Sequence, residues 1–187
     1  KNLQGLLEAF ALVVRGTPSH LVLVGDTSGD SFFGCYPELV QQCRRLRIEA
    51  DVTFTGFVPN EELVLFYNAA TLLALGSFDE GFGLPAVEAL ACGLPVAASR
   101  RGSLPEVLGA AAVFFDPENT GEMAAVIQSL LQDEPRREEL RAASLLRAAR
   151  YSWSTAARDT VQCLEEVAAA RSPGAGRTAE PGGSTHE

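Results

Sequence analysis

The order of apolar runs along the chain predicts a doubly wound α/β domain built on a parallel sheet. Two observations carry that reading. Short runs rich in Val, Leu and Ala lack the in/out alternation of a half-exposed strand, and each is followed by text with a helical period or a helix start.

In chain order, Leu3, Leu6, Leu7, Phe10, Val13 and Val14 recur at spacings of three and four, which predicts an opening core-facing helix. Residues 21–26 (Leu-Val-Leu-Val-Gly-Asp) and 52–58 (Val-Thr-Phe-Thr-Gly-Phe-Val) read as strands, with helical text between them from Pro37 to Arg47. After Pro59 and Asn60, the acidic pair Glu61 and Glu62 opens a helix that continues through Leu63, Leu65, Phe66 and Ala69. Residues 72–75, 96–98 and 112–116 read as three more strands. Pro85 opens a helix as its first residue, and Asp116-Pro117 marks a stop before mostly helical text over 118–170, with Ser152 as a cap ahead of Trp153. The charges between Arg136 and Arg150 read as a solvated face. From residue 171 the Gly, Pro, Ser and Thr content offers little to bury, so one domain over 1–170 and a disordered tail over 171–187 are expected.

Composition excludes several classes of function. A formal charge of −9 argues against nucleic acid and anionic membrane as partners, because both need clustered Lys and Arg. The four cysteines, Cys35, Cys43, Cys92 and Cys163, show no C-x-x-C spacing, which favours a reducing compartment. With two histidines, His20 and His186, a His-based metal site or triad has almost no material. No signal peptide or transmembrane run is legible, so a cytoplasmic location is expected.

The informative stretch is residues 79–88, Asp-Glu-Gly-Phe-Gly-Leu-Pro-Ala-Val-Glu. Ligands of an open parallel sheet sit beyond the carboxyl ends of its strands, and this loop falls between the strand at 72–75 and the Pro85 helix. Amides of Gly81, Phe82, Gly83 and Leu84 at a helix start suit a phosphate. Glu80 and Glu88 cannot bind that phosphate, but paired acceptor oxygens match the vicinal hydroxyls of a sugar or ribose. Taken singly, Glu80 is also readable as a loop charge and Glu88 as a first-turn acid. Gly81, Gly83 and Ala86 also match the dinucleotide fingerprint G-x-G-x-x-[GA]. That fingerprint belongs on the first strand of its unit and needs a ribose-binding acid about 20 residues on, and neither condition is met here.

Glu80 and Glu88 form an E-x7-E pair around Gly81, Phe82, Gly83, Leu84 and Pro85, followed by Ala-Leu-Ala-Cys-Gly-Leu-Pro-Val-Ala-Ala-Ser over 89–99 and Ser-Leu-Pro-Glu over 103–106. With Lys1-Asn2, residues 21–26, 54–58 and 115–117, and Ser152-Trp153, this resembles the carboxy-terminal, donor-binding domain of the retaining group 1 glycosyltransferases of the GT-B fold, over about residues 1–168. The resemblance implies a hexose transferred from a nucleoside-diphosphate sugar to an unknown acceptor. It implies that Glu80 holds the donor sugar's hydroxyls, Glu88 the ribose diol, and the backbone of Gly81, Phe82, Gly83 and Leu84 the diphosphate. Phe57 and Val58 would lie against the base, and Lys1 would neutralise the leaving diphosphate. No cofactor is implied, and without a D-x-D motif no metal is expected.

This chain departs from the pattern in having Gly76-Ser77 where the family has Pro-Ser. It also opens at a point where the family is already one strand into the domain, so a missing first strand, a missing diphosphate-binding arginine and a missing amino-terminal acceptor-binding domain are expected. Without that domain the chain alone is expected to be inactive. The alternatives are a non-catalytic, truncated sugar-nucleotide-binding module and, third, a nicotinamide oxidoreductase.

Overall fold

A computed structural model describes residues 1–27 and 35–171 of the 187-residue chain. The elements run α1 (Leu3–Gly16), β1 (Leu21–Leu23), α2 (Tyr36–Leu46), β2 (Val52–Phe54), α3 (Asn60–Ala69), β3 (Leu73–Leu75), α4 (Leu84–Ala91), β4 (Val96–Ser99), α5 (Leu104–Leu108), β5 (Ala112–Phe115), α6 (Thr120–Gln132), α7 (Glu134–Ala148) and α8 (Trp153–Arg171). The expected disordered tail lies outside the described residues, apart from Arg171, which ends α8. By its internal contacts the chain falls into two units, Lys1–Arg150 and Tyr151–Glu187. In the second, Ser152 caps α8 as expected, its hydroxyl accepting from the Thr155 amide at 3.3 Å.

All strand pairs are parallel, as the unalternated runs predict, and they form two ladders, β1-β2 and β3-β4-β5. Among the described residues no ladder joins the two. A group of two strands and a group of three is what the doubly wound order 3-2-1-4-5-6 leaves when its strand 1 is taken out. The first two strands are shorter than predicted. Beyond Leu23 and Phe54 the regular pairing ends, and the two segments share an isolated bridge between Gly25 and Gly56, where Gly56 adopts φ +74°.

One core lies beneath both ladders. Leu6, Leu7, Phe10 and Val13 of α1 pack with Ile127 and Leu130 of α6, Leu39 and Cys43 of α2, and Ala97 and Phe115 from the sheet. Leu21, Leu23, Val52 and Phe54 reach the same cluster from the other ladder. β4 is buried at every position, because Ala97 faces that core while α4 and α5 pack against the strand from the opposite side. The expectation of burial on both faces fails for β1 and β2. Val22 is 41% exposed, and α3 buries none of its residues.

The charged face of α7 is also not wholly solvated. Arg136 and Arg141 pair with Glu139 and Glu138 on the surface, but Arg137 donates to the Leu130 and Leu131 carbonyls at the end of α6, at 2.7 and 2.8 Å. Arg147 donates to Val107 O at 2.7 Å and to Glu106 O. The last carbonyls of a helix have no partner within it, so a guanidinium's fixed fork of donors is drawn to them.

The register of α1 is set by Asn2. Its carboxamide nitrogen donates to Gly76 O and Pro117 O, both at 3.0 Å, and its oxygen accepts from the Gly5 amide at 3.3 Å. Gly5 is required by that close approach, since a Cβ there would stand 2.6 Å from Asn2 Oδ1. Asn2 itself adopts φ +56°, which asparagine tolerates better than most residues. Asn2→Ala is expected to lower unfolding free energy by roughly 2–4 kcal/mol, through the lost cap, two orphaned carbonyls and backbone strain. Asn2→Gly should cost less because the strain term vanishes, and urea denaturation of both variants checks the ranking.

Candidate functional site

The loops that follow β3, β4 and β5 meet at the carboxyl edge of the three-stranded ladder. After β3 the chain crosses Gly76, Ser77, Phe78 and Asp79 to reach Glu80. Asn2 binds the Gly76 carbonyl, which brings the start of α1 to this loop. Lys1 and Glu80, 79 residues apart in sequence, are thereby in contact at 2.6 Å between Nζ and Oε1. Ser77 Oγ, itself buried, donates to the same carboxylate oxygen at 2.7 Å.

Glu80 is held through its backbone as well. Its carbonyl accepts from the Ser103 amide at 3.1 Å and from Ser103 Oγ at 2.9 Å. Gly102 is what lets that loop come so close: it adopts φ +60°, and a Cβ on it would lie 2.8 Å from both the amide nitrogen and the carbonyl oxygen of Glu80. Only 11% of the Glu80 side chain is exposed, against 63% for Lys1. Burial alone would raise the Glu80 pKa, but the hydrogen bonds from Lys1 and Ser77 and the positive charge of Lys1 outweigh it and hold the carboxyl below its ordinary value.

The glycine loop leads into α4 as expected, with one correction. Gly83, at φ +81°, is the N-cap and Leu84 the first helical residue, so Pro85 occupies the second position. A proline there still sacrifices no helical hydrogen bond, since the first-turn amides have no intrahelical acceptor. Among the described residues the amides of Gly81, Gly83 and Leu84 donate to nothing, and the place a Cβ on Gly81 would take is open. Phe82 and Leu84 are exposed. The arrangement offers amide donors at a helix's positive end beside an ammonium group, which suits an anion.

Glu88 lies further along α4, exposed, and accepts a hydrogen bond from Tyr67 OH of α3 at 2.8 Å. Phe57, 78% exposed, and Val58 precede α3 on the segment leaving β2. The structure thus joins Lys1 with Glu80 directly and carries Glu88 on the helix that Gly83 caps, and among the described residues no hydrogen bond joins Phe57 or Val58 to the other predicted residues. Ser77, Tyr67, Gly102 and Ser103 belong to the site and were not singled out for it in the sequence. Ser77, three residues before Glu80, and Gly102, just before the Ser103 motif, were the available signals.

Two cations stand beside this edge. Arg100 pairs with Glu122, and Arg101 lies 3.6 Å from Asp116 and 3.7 Å from Glu118, so both are already matched by acids. Among the described residues no group of three or more His, Cys, Asp or Glu side chains gathers as a metal site, and no helix is long and apolar enough to cross a membrane.

Comparison with known proteins follows the same lines. The sequence pattern of the family described as glycosyl transferases group 1 matches residues 1–146. The chain is 37% identical over 166 residues to the O-antigen chain mannosyltransferase B of Escherichia coli, covering 88% of this chain and 42% of that protein. It is 33% identical over 172 residues to the D-inositol 3-phosphate glycosyltransferase of Corynebacterium kroppenstedtii, covering 89% of this chain and 38% of that protein. Among solved structures, the sucrose-phosphate synthase of Thermosynechococcus elongatus superposes with a TM-score of 0.82 at 28% identity, over 91% of this chain and 43% of that one. Anabaena HepE in complex with UDP-glucose superposes with a TM-score of 0.77 at 26% identity, over 87% and 44%. The chain therefore spans less than half the length of these proteins.

Replacing Lys1 by Met should raise the Glu80 pKa, because burial is then less opposed. The sign for stability follows: a carboxyl held below its unfolded value stabilises the fold above about pH 4.3 and loses that contribution as pH falls through the folded value. A carboxyl-detected NMR titration of Glu80 in the two proteins checks the direction.

Proposed function

The chain belongs to the group 1 glycosyl transferases, and on that premise we propose that it is the nucleotide-sugar-binding half of a retaining glycosyltransferase that moves a hexose from a nucleoside diphosphate to an acceptor. The observation that carries this reading is the meeting of Lys1, Ser77 and Glu80 at the mouth of the glycine loop. A cation, a run of open amides and an ionised carboxylate then stand side by side, and a ligand with a diphosphate next to sugar hydroxyls uses all three. The solved relative with bound UDP-glucose supports the same class of donor.

In this proposal the diphosphate lies against the amides of Gly81, Gly83 and Leu84, and Phe82 supplies the backbone between them. Lys1 has three N–H groups, of which one goes to Glu80, so it can bridge the carboxylate and a phosphate oxygen at once. Glu80, kept ionised by Lys1 and Ser77, accepts from hydroxyls of the donor hexose. Glu88 accepts from the ribose diol, and Phe57 and Val58 flank the base. In the transfer itself the bond from the anomeric carbon to the phosphate oxygen breaks, a bond to the acceptor oxygen forms on the same face, and the acceptor's proton leaves with the diphosphate. Lys1 opposes the charge that grows on the departing oxygen, an effect that is largest where water is excluded. The acceptor is chosen by parts of such enzymes that this chain does not match.

Calorimetric titration with UDP-, GDP- and ADP-hexoses and with NAD tests the proposal. One of the sugar nucleotides should bind and NAD should not; NAD binding alone would overturn it. Lys1→Met should weaken a nucleoside diphosphate about tenfold or more, since a charge-assisted hydrogen bond is lost, while the corresponding nucleoside is little affected.

A further inference from the structure

We infer that Tyr67 is a positioning residue for Glu88, holding its carboxylate in the orientation that receives the ribose diol of a nucleoside diphosphate. The inference rests on the proposed role of Glu88 and adds to it a residue from a different element. Tyr67 stands in the last turn of α3 and its hydroxyl donates to Glu88 Oε2 at 2.8 Å, across 21 residues of sequence.

Packing does not demand this contact. α3 buries none of its residues, Tyr67 is half-buried and Glu88 is exposed. A hydrogen bond between partly exposed groups contributes little to stability, so its consequence is chiefly for orientation. A glutamate on the outside of a helix samples many rotamers, and a ligand that needs one of them must first freeze the rest. The phenol freezes Glu88 in advance. An ionised carboxylate has about four acceptor positions. Tyr67 occupies one of them on Oε2, which leaves Oε1 and a second position on Oε2 for the two O–H groups of a vicinal diol.

The phenol's own state fits the task. Its burial, then the hydrogen bond and negative charge of Glu88, push its pKa well above the ordinary tyrosine value, so it remains a donor at neutral pH. Tyr67 also lies on the helix that begins directly after Phe57 and Val58, so one short segment would bear on the base and, through Tyr67, on the ribose.

The test uses the full chain and measures binding of UDP, GDP and ADP by calorimetry, then compares the tightest of them with its 2′,3′-dideoxy analogue. The unaltered protein should favour the ribonucleotide. Tyr67→Phe should weaken the ribonucleotide about five- to tenfold, the worth of one hydrogen bond to a charged group, and the dideoxy analogue less than twofold. In a Glu88→Gln background Tyr67→Phe should change neither. Equal weakening of both nucleotides with a lower Tm would make Tyr67 a fastener between α3 and α4 and overturn the inference. Undiminished preference for the ribonucleotide in Tyr67→Phe would overturn it too. If the unaltered protein binds both nucleotides equally, or binds none, the ribose role of Glu88 itself fails, and the inference falls with it.

Discussion

The site depends on where one asparagine sits. Asn2 bonds at once to the loop after β3, the loop after β5 and the first turn of α1. Those three contacts bring the amino end of a helix to the carboxyl edge of the sheet. Without them Lys1, at the end of the described chain and largely solvated, would have no reason to lie against a carboxylate 79 residues away. The energetic logic is one of shared constraint. The carboxamide satisfies two loop carbonyls and a helix amide that would otherwise be left open, so the geometry that places Lys1 is also the one that leaves fewest polar groups unpaired.

Glu80 shows how a charge is kept in a partly buried place. Desolvation works against it, and the opposing hydrogen bonds and charge come from Lys1, placed by Asn2, and from buried Ser77, while Gly102 and Ser103 fix the Glu80 backbone. A protein with a formal charge of −9 does not offer an anion a favourable field overall. Attraction must be local. Arg100 and Arg101 are matched by Glu122, Asp116 and Glu118, and Lys1, though paired with Glu80, keeps further N–H donors beside the amides at the start of α4.

The two ladders differ in how they are covered. β4 is enclosed by helices on both faces, whereas β1 and β2 turn Leu21, Leu23, Val52 and Phe54 inward and leave Val22 exposed. The glycine loop and α4 grow out of the well-covered ladder. α3, the source of Tyr67, belongs to the sparsely buried part, and its hydrogen bond to Glu88 joins the two kinds of structure.

The sequence alone determined the parallel α/β pattern, the element order, the glycine loop before a helix, and the E-x7-E pair that carries the family resemblance. These are local properties. A strand without alternation, a stripe at helical spacing and a glycine ahead of a proline each act over a few residues, so they can be read in a window of that length. Strand ends were overestimated at 24–26 and 55–58 because Val24, Phe57 and Val58 prolong the apolar text, whereas only a single isolated bridge, between Gly25 and Gly56, continues the pairing. Only the tertiary structure decided that Lys1 pairs with Glu80, that Asn2 binds Gly76 and Pro117, that Gly102 makes room for Glu80, that Arg137 and Arg147 serve helix ends and loops, and that Tyr67 reaches Glu88. Apart from that of Arg137, which reaches back only to the end of the preceding helix, each of those contacts joins elements far apart in sequence, and no short window contains both partners.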